Sequence, residues 1–286
     1  MLILNVILAF MMFGVSLSLK GEDFKRVIQR PDAPIVGLLA QFVLLPAATC
    51  MATWYFRVDP QMALGMILVA SCPGGTFSNI MTWLSRANVA VSVSMTAISS
   101  LAATVLTPFN FALYGWLNPH TRPLLTDIHL NSMNILVLVV LVLAVPLLLG
   151  MLTGRHFPQF AEKAQKPMRI VTLLVLFTFV AVAFSKNMDV FIENAHRIVL
   201  LVVLHNALAL SMGALASWVS GLPRRDRRAV TLEVGIQNSG LGLSILFTFF
   251  PQASGMILIA AFWGVWHLIS GLTLSFIWSR RPGEEA

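Results

Sequence analysis

Long apolar runs separated by short basic turns divide this chain from end to end. Nine can be marked off, at roughly 2–19, 34–56, 61–84, 88–116, 131–153, 168–185, 197–220, 229–250 and 254–279. Each comes close to the ~20 apolar residues that a helix needs to cross a bilayer core. Of the 286 residues, 57% are apolar and only 11% are charged, whereas a soluble domain carries about 25% charged residues. A water-soluble core in a chain of this length cannot hide so much apolar surface. In lipid every backbone donor and acceptor must be satisfied internally, which leaves helices as the spanning element. The predicted fold class is therefore an all-α polytopic membrane protein with nine transmembrane helices. Residues 1–19 have neither a basic leader nor a small-residue cleavage site, so they are read as a first span rather than a signal peptide.

The net charge of +7 would suggest nucleic acid in a soluble protein. Here the basic residues sit in the turns, so they are read as topology determinants facing anionic headgroups, with no nucleic-acid partner. Fifteen of them, among them Lys25, Arg86, Lys163 and the group Arg224, Arg225, Arg227 and Arg228, follow odd-numbered spans; only Arg57, Arg122, Lys186 and Arg197 follow even-numbered ones. That bias predicts an N-terminus outside, a C-terminus in the cytoplasm and, for a bacterial chain, residence in the inner membrane. The two cysteines, Cys50 and Cys72, lie in apolar runs and form no disulfide or zinc pattern.

Two runs carry helix-breaking sequence at mid-depth. The third contains Cys72-Pro-Gly-Gly-Thr-Phe-Ser-Asn79. Its proline removes a backbone donor and clashes with the preceding turn, and its two glycines add backbone freedom. The eighth contains Glu233-Val-Gly-Ile-Gln-Asn-Ser-Gly240. Irregular backbone at membrane depth is tolerated only inside protein or along a cavity. A matching pair of interrupted spans points to a transporter binding site, and a five-span offset makes the halves inverted repeats. Two ordinary kinked helices are the plainer alternative.

Of the twelve Asp and Glu residues, Glu233 alone falls inside a run. An intramembrane carboxylate is a functional-site hypothesis by default, although Arg228, five residues earlier, leaves a position near the cytoplasmic end open. Gln237 lies at i+4 on the same helix face, Ser92 and Thr96 are another i,i+4 pair, and Gln41 is the strongly polar residue deep in the second run. These are hard oxygen donors suited to a hard cation.

The three motifs, the third being Asn88-Val-Ala-Val-Ser-Val-Ser-Met-Thr96, closely resemble the bile acid:sodium symporter family, and the resemblance extends to Leu204-His-Asn206 and Trp266-His267. It implies core and panel domains built from inverted five-helix repeats with two broken, crossing helices, in a chain that lacks the first of ten helices. The implied layout is 1-33 for the first panel helix and its cytoplasmic connection, 34-116 for core helices 2-4, 117-196 for panel helices 5-6, and 197-286 for core helices 7-9 and the tail. Two sodium ions are implied. The first site matches Ser78, Asn79, Ser92, Thr96 and Glu233; the second matches Gln41, Glu233, Val234, Ile236 and Gln237, with Val234 and Ile236 offering carbonyls. The implied substrate residues are Thr76, Phe77, Asn238, Ser239 and His267.

The function the resemblance implies is sodium-driven import of a small organic anion, a carboxylate or sulfonate, by alternating access. Two sodium ions, one fixed carboxylate and one monoanion sum to zero. Because Glu233 stays behind, one net charge moves inward per cycle, gaining about 2.3 kcal/mol per 100 mV. Phe77 stands where relatives often have a small residue, and Leu268 where a bacterial relative has asparagine. Both make the crevice less polar or narrower, so bile acid itself is not carried over as substrate. A metalloid or arsenite efflux carrier using Cys72 as a soft ligand is the alternative, and a non-transporting sensor on the same scaffold a third. No catalytic motif such as HExxH or GxSxG occurs, and no enzyme activity or obligate protein partner is expected.

Overall fold

The computed structural model describes residues 2–17, 25, 27–127 and 132–280. Lys20, Arg26 and Arg281 of the charge count lie outside the described residues. The elements, in order, are α1 (Leu2–Ser16), α2 (Asp32–Tyr55), α3 (Pro60–Ser71), α4 (Phe77–Leu84), α5 (Val89–Leu117), the short α6 (Arg122–Asp127), α7 (Ser132–His156), α8 (Pro158–Lys186), α9 (Met188–Val219), α10 (Arg224–Gly235), α11 (Ser239–Phe249) and α12 (Ser254–Ser279). Among the described residues there is no strand, only one isolated bridge. By length and composition, five helices can cross a membrane: α2, α5, α8, α9 and α12.

The third and eighth apolar runs are each two helices. Cys72 is extended (φ −73°, ψ 158°), as expected for a residue whose helical conformation the next proline disfavours. Here the sequence-based reading of a broken span holds. Elsewhere it falls short. The stretch 154–167, which separates the fifth and sixth apolar runs, is helical except at Phe157 (φ −125°, ψ 64°), where α7 gives way to α8. Pro158 opens α8, a position where its missing N–H costs nothing. Likewise α9 begins at Met188, nine residues before its apolar run. Hydropathy marks only the apolar part of a helix, and both extensions are rich in polar residues.

Pro46 shows how one residue shapes a helix. It cannot donate to the carbonyl four residues back, Phe42, and the helix widens to a π-turn over Ala40–Leu44. The freed Phe42 carbonyl accepts from Asn110 Nδ2 of α5 at 2.8 Å. Asn110→Ala is expected to leave a buried acceptor unpaired and to lower stability by about 1–3 kcal/mol. Thermal unfolding in detergent measures this, and an unchanged melting temperature would show that another donor reaches Phe42.

Close helix contacts rest on small residues, as is usual where lipid supplies no hydrophobic drive between helices. Gly150 and Gly154 on α7 sit one turn apart against α1. A Cβ on Gly150 would lie 2.6 Å from the Phe13 carbonyl oxygen, and one on Gly154 3.0 Å from that of Leu17. On the other side, α9 lies along α10, and α12 against α3.

Candidate functional site

The two breaks meet. Gly75 N–H donates to the Ile236 carbonyl at 2.7 Å, and Asn238 N–H to the Pro73 carbonyl at 2.9 Å, forming an antiparallel bridge between Gly74 and Gln237. Interrupting four helix ends at one point frees many backbone groups, each costly if left unpaired away from water. Side chains from three other helices take up three more carbonyls. Thr107 Oγ1 donates to the Ser71 carbonyl at 2.7 Å, Gln41 Nε2 to that of Cys72 at 2.7 Å, and Asn206 Nδ2 to that of Gly235 at 2.8 Å. Asn206 is itself held by Ser270 Oγ at 2.6 Å. The sequence gives Thr107 and Ser270 no distinguishing signal beyond being polar in apolar runs, whereas Asn206 belongs to the Leu204-His-Asn206 stretch that carries the resemblance.

Beside this crossing lies Glu233, wholly buried on α10. Ser78 Oγ donates to its Oε2 at 2.5 Å and Ser92 Oγ at 2.9 Å, while Thr96 Oγ1 donates to Oε1 at 2.6 Å. Asn79 Oδ1 is 2.8 Å from Ser92 Oγ and 3.3 Å from Thr96 Oγ1. All the residues matched to the first sodium site thus converge, from α4, α5 and α10. Gly74 closes the cluster: a Cβ there would lie 2.3 Å from Glu233 Oε1. The group brings six side-chain oxygens together with only three hydroxyl protons among them. An ionised carboxylate without a cationic partner at this depth is expensive. The donor set fits a hard monovalent cation, which accepts every spare lone pair and balances the charge.

The second set is also gathered, in a different hydrogen-bonding state. Gln41 Nε2 donates to Gln237 Oε1 at 2.7 Å, and Gln237 Nε2 to the Val234 carbonyl at 2.7 Å. The Ile236 carbonyl accepts from Gly75. Gln41 Oε1 is buried with no hydrogen-bond partner. That orphaned acceptor suits a cation, as do the Val234 and Ile236 carbonyls, each of which has a lone pair to spare. Among the described residues no group of three or more His, Cys, Asp and Glu side chains gathers as a metal-binding cluster, so oxygen donors of other residues define the chemistry.

Thr76, Phe77, Asn238, Ser239 and His267 line one narrow cleft at the crossing, closed on its far wall by Met11 and Met12 of α1 and Thr172 and Leu176 of α8. Its cavity is about 20 Å³, room for about one water. His267 is buried, with Nδ1 3.2 Å from Ser239 Oγ and Nε2 without a partner. His205 lies away from this cleft: Nε2 meets Thr49 Oγ1 at 2.8 Å, and the ring packs edge-on to Trp263 at 4.7 Å. It bonds within the core. Cys72 is a buried free thiol.

Helices throughout, apolar lengths sufficient to cross a bilayer and interrupted helices around a buried carboxylate define an all-α integral membrane protein with a polar centre. Comparison with known proteins makes the assignment closer. Residues 5–194 match the model of the Sodium Bile acid symporter family. The chain is 29% identical over 280 residues to the uncharacterized sodium-dependent transporter YocS of Bacillus subtilis (strain 168), covering 97% of this chain and 83% of that protein. It is 28% identical over 281 residues to the probable sodium/metabolite cotransporter BASS1 of Arabidopsis thaliana (97% and 67%). It is 27% identical over 258 residues to the human ileal sodium/bile acid cotransporter (89% and 72%). The chain belongs to the Sodium Bile acid symporter family. These relatives are transporters by name, not enzymes.

Proposed function

We propose that this protein is a secondary symporter that couples the inward movement of two sodium ions to import of a small organic anion by alternating access. The observation that carries this reading is the oxygen cluster of Ser78, Asn79, Ser92, Thr96 and Glu233, an arrangement with more lone pairs than protons around one buried carboxylate. Gln41, Glu233, Gln237 and the Val234 and Ile236 carbonyls form the second sodium site, completed when the Gln41 amide turns to present Oε1 in place of the Nε2 that now donates to Gln237 Oε1 at 2.7 Å. Because α2, α4, α5 and α10 all contribute ligands, filling both sites ties the two breaks together. The half-helices α4 and α11 then present their N-terminal N–H groups to an anion between Thr76, Phe77, Asn238, Ser239 and His267.

The proposed scaffold is nine spans in inverted repeats, with α3–α4 and α10–α11 as the matching broken pair, N-terminus outside and C-terminus in the cytoplasm of a bacterial inner membrane. Residues 34-116 and 197-286 would form the core; 1-33 and 117-196 the panel. The lining of one cleft by α1 and α8 on one side and both breaks on the other supports this division. A cleft with room for one water corresponds to a state closed to substrate, and importing an anion requires the two walls to part.

The test is uptake of labelled carboxylates and sulfonates into proteoliposomes under an inward sodium gradient, alongside thermal unfolding in sodium, potassium and choline. Sodium alone should raise the melting temperature, because a ligand of the native state stabilises it. Equal melting in all three salts would sink the reading. Cys72→Ala is expected to retain sodium-driven uptake within about twofold; abolished transport together with arsenite efflux by the parent protein would instead favour a thiol-based metalloid carrier.

A further inference from the structure

A second and much larger cleft, about 750 Å³, opens between the C-terminal end of α2, the start of α3 and the first half of α9. It shares no lining residue with the crossing. Its volume falls in the usual range of small-molecule pockets, about 300–1,000 Å³. Its walls are sorted by chemistry. Met62 and Met66 of α3 face Leu200, Leu201, Leu204 and Leu208 of α9. Arg57 and Arg197 stand at the mouth with Asp59.

The charges do not cancel. Asp59 Oδ1 is engaged at the start of α3, accepting from the backbone N–H groups of Gln61 at 3.0 Å and Met62 at 3.1 Å. Both arginines are exposed. Two guanidiniums and one carboxylate leave one positive charge. At the floor, His205 is 1% exposed, lines the cleft and has a ring Nδ1 without a hydrogen-bond partner. Arg197 and Leu208 are three helical turns apart, about 16 Å along α9 at 1.5 Å per residue. The cleft therefore runs from a cationic rim to an apolar interior along the helix axis. Leu200 and Leu204, each 58% exposed, flank its open side.

Arginines at the end of a membrane helix commonly snorkel to the headgroup level as isolated side chains. Two of them lining one concave apolar slot is a different arrangement, and guanidinium groups bind phosphate oxygens through charge-assisted, often bidentate hydrogen bonds. We propose that this cleft is a binding site for one anionic phospholipid, its headgroup on Arg57 and Arg197 and an acyl chain lying along Leu200, Leu204 and Leu208. The exposed leucines on its open side favour a ligand arriving from the bilayer over one arriving from water.

Native mass spectrometry of the full-length protein, released from neutral-detergent micelles holding equimolar phosphatidylglycerol and phosphatidylcholine, tests this. The expected result is retention of one phosphatidylglycerol with at least about tenfold preference. The paired change Arg57→Gln and Arg197→Gln should abolish that preference, and Leu204→Trp, which fills the slot, should remove the tightly held lipid while Leu215→Trp, elsewhere on α9, should not. Thermal unfolding with phosphatidylglycerol should show the same pattern. Equal retention of the two lipids, or a preference unchanged in both variants, overturns the proposal. So does stabilisation by glycerol 3-phosphate alone equal to that by phosphatidylglycerol, which would make the rim a soluble-anion site. Sodium-dependent melting is read in parallel, so failure here is separable from failure of the sodium sites.

Discussion

Glu233→Gln is expected to abolish sodium-dependent uptake and sodium-dependent thermal stabilisation together, while leaving the protein folded. The change keeps the side chain's volume in a fully buried position and removes only the charge and one acceptor oxygen. Ser78, Ser92 and Thr96 currently donate to both carboxylate oxygens, and the amide retains one of them. The proposed cation loses the charge that balances it in both sites at once. A ligand at 100 times its Kd stabilises the native state by about 2.7 kcal/mol, and that increment should vanish, with uptake falling on the order of 100-fold. In potassium the variant should melt no lower than the parent, because burying an uncompensated carboxylate costs several kcal/mol. Melting curves in the two salts and proteoliposome uptake measure this. An undiminished sodium shift in the variant would separate Glu233 from sodium binding.

Gly74→Ala should be nearly as damaging, for a steric reason. The added methyl would stand 2.3 Å from Glu233 Oε1 and 2.8 Å from its Cδ, closer than Cβ atoms approach in folded proteins. Either the carboxylate swings out of the cluster or the bridge from Gly75 N–H to the Ile236 carbonyl opens. Both outcomes dismantle the oxygen cluster, so sodium stabilisation should disappear and uptake should fall more than about tenfold; overpacking typically costs 1–3 kcal/mol of stability besides. Gly242→Ala is the matched control, since its methyl would meet Cys72 Sγ at an ordinary 3.6 Å. Sodium-driven uptake surviving in Gly74→Ala would mean that the cluster tolerates displacement of Glu233.

Much of this site is legible one residue at a time. Pro73 with Gly74 and Gly75 announces a break because proline and glycine act on their own backbone, whatever surrounds them. Glu233 is conspicuous because a carboxylate in an apolar run is costly in any fold. The i,i+4 spacings of Ser92 with Thr96 and of Glu233 with Gln237 fix shared faces by helix geometry alone. Three features resist such reading. Helices that extend beyond their apolar runs, as α8 and α9 do at their polar starts, leave no hydropathy signal there. Pro46 gives the π-turn over Ala40–Leu44 its local cause, but the partner of the freed Phe42 carbonyl, Asn110, is 68 residues away. The arginine-rimmed cleft is assembled from helix ends that no motif connects.

From its sequence alone, then, this chain is a lipid-embedded helical protein with two interrupted spans and one isolated acid, because solvation, backbone restriction and helical period are properties of short segments. Only the tertiary structure brings Ser78 and Glu233, 155 residues apart, to 2.5 Å, pairs Gly74 with Gln237, and leaves Gln41 Oε1 without a partner. Those contacts arise from how α2, α4, α5 and α10 pack around glycine-sized gaps, and packing of remote helices has no local signature in the chain.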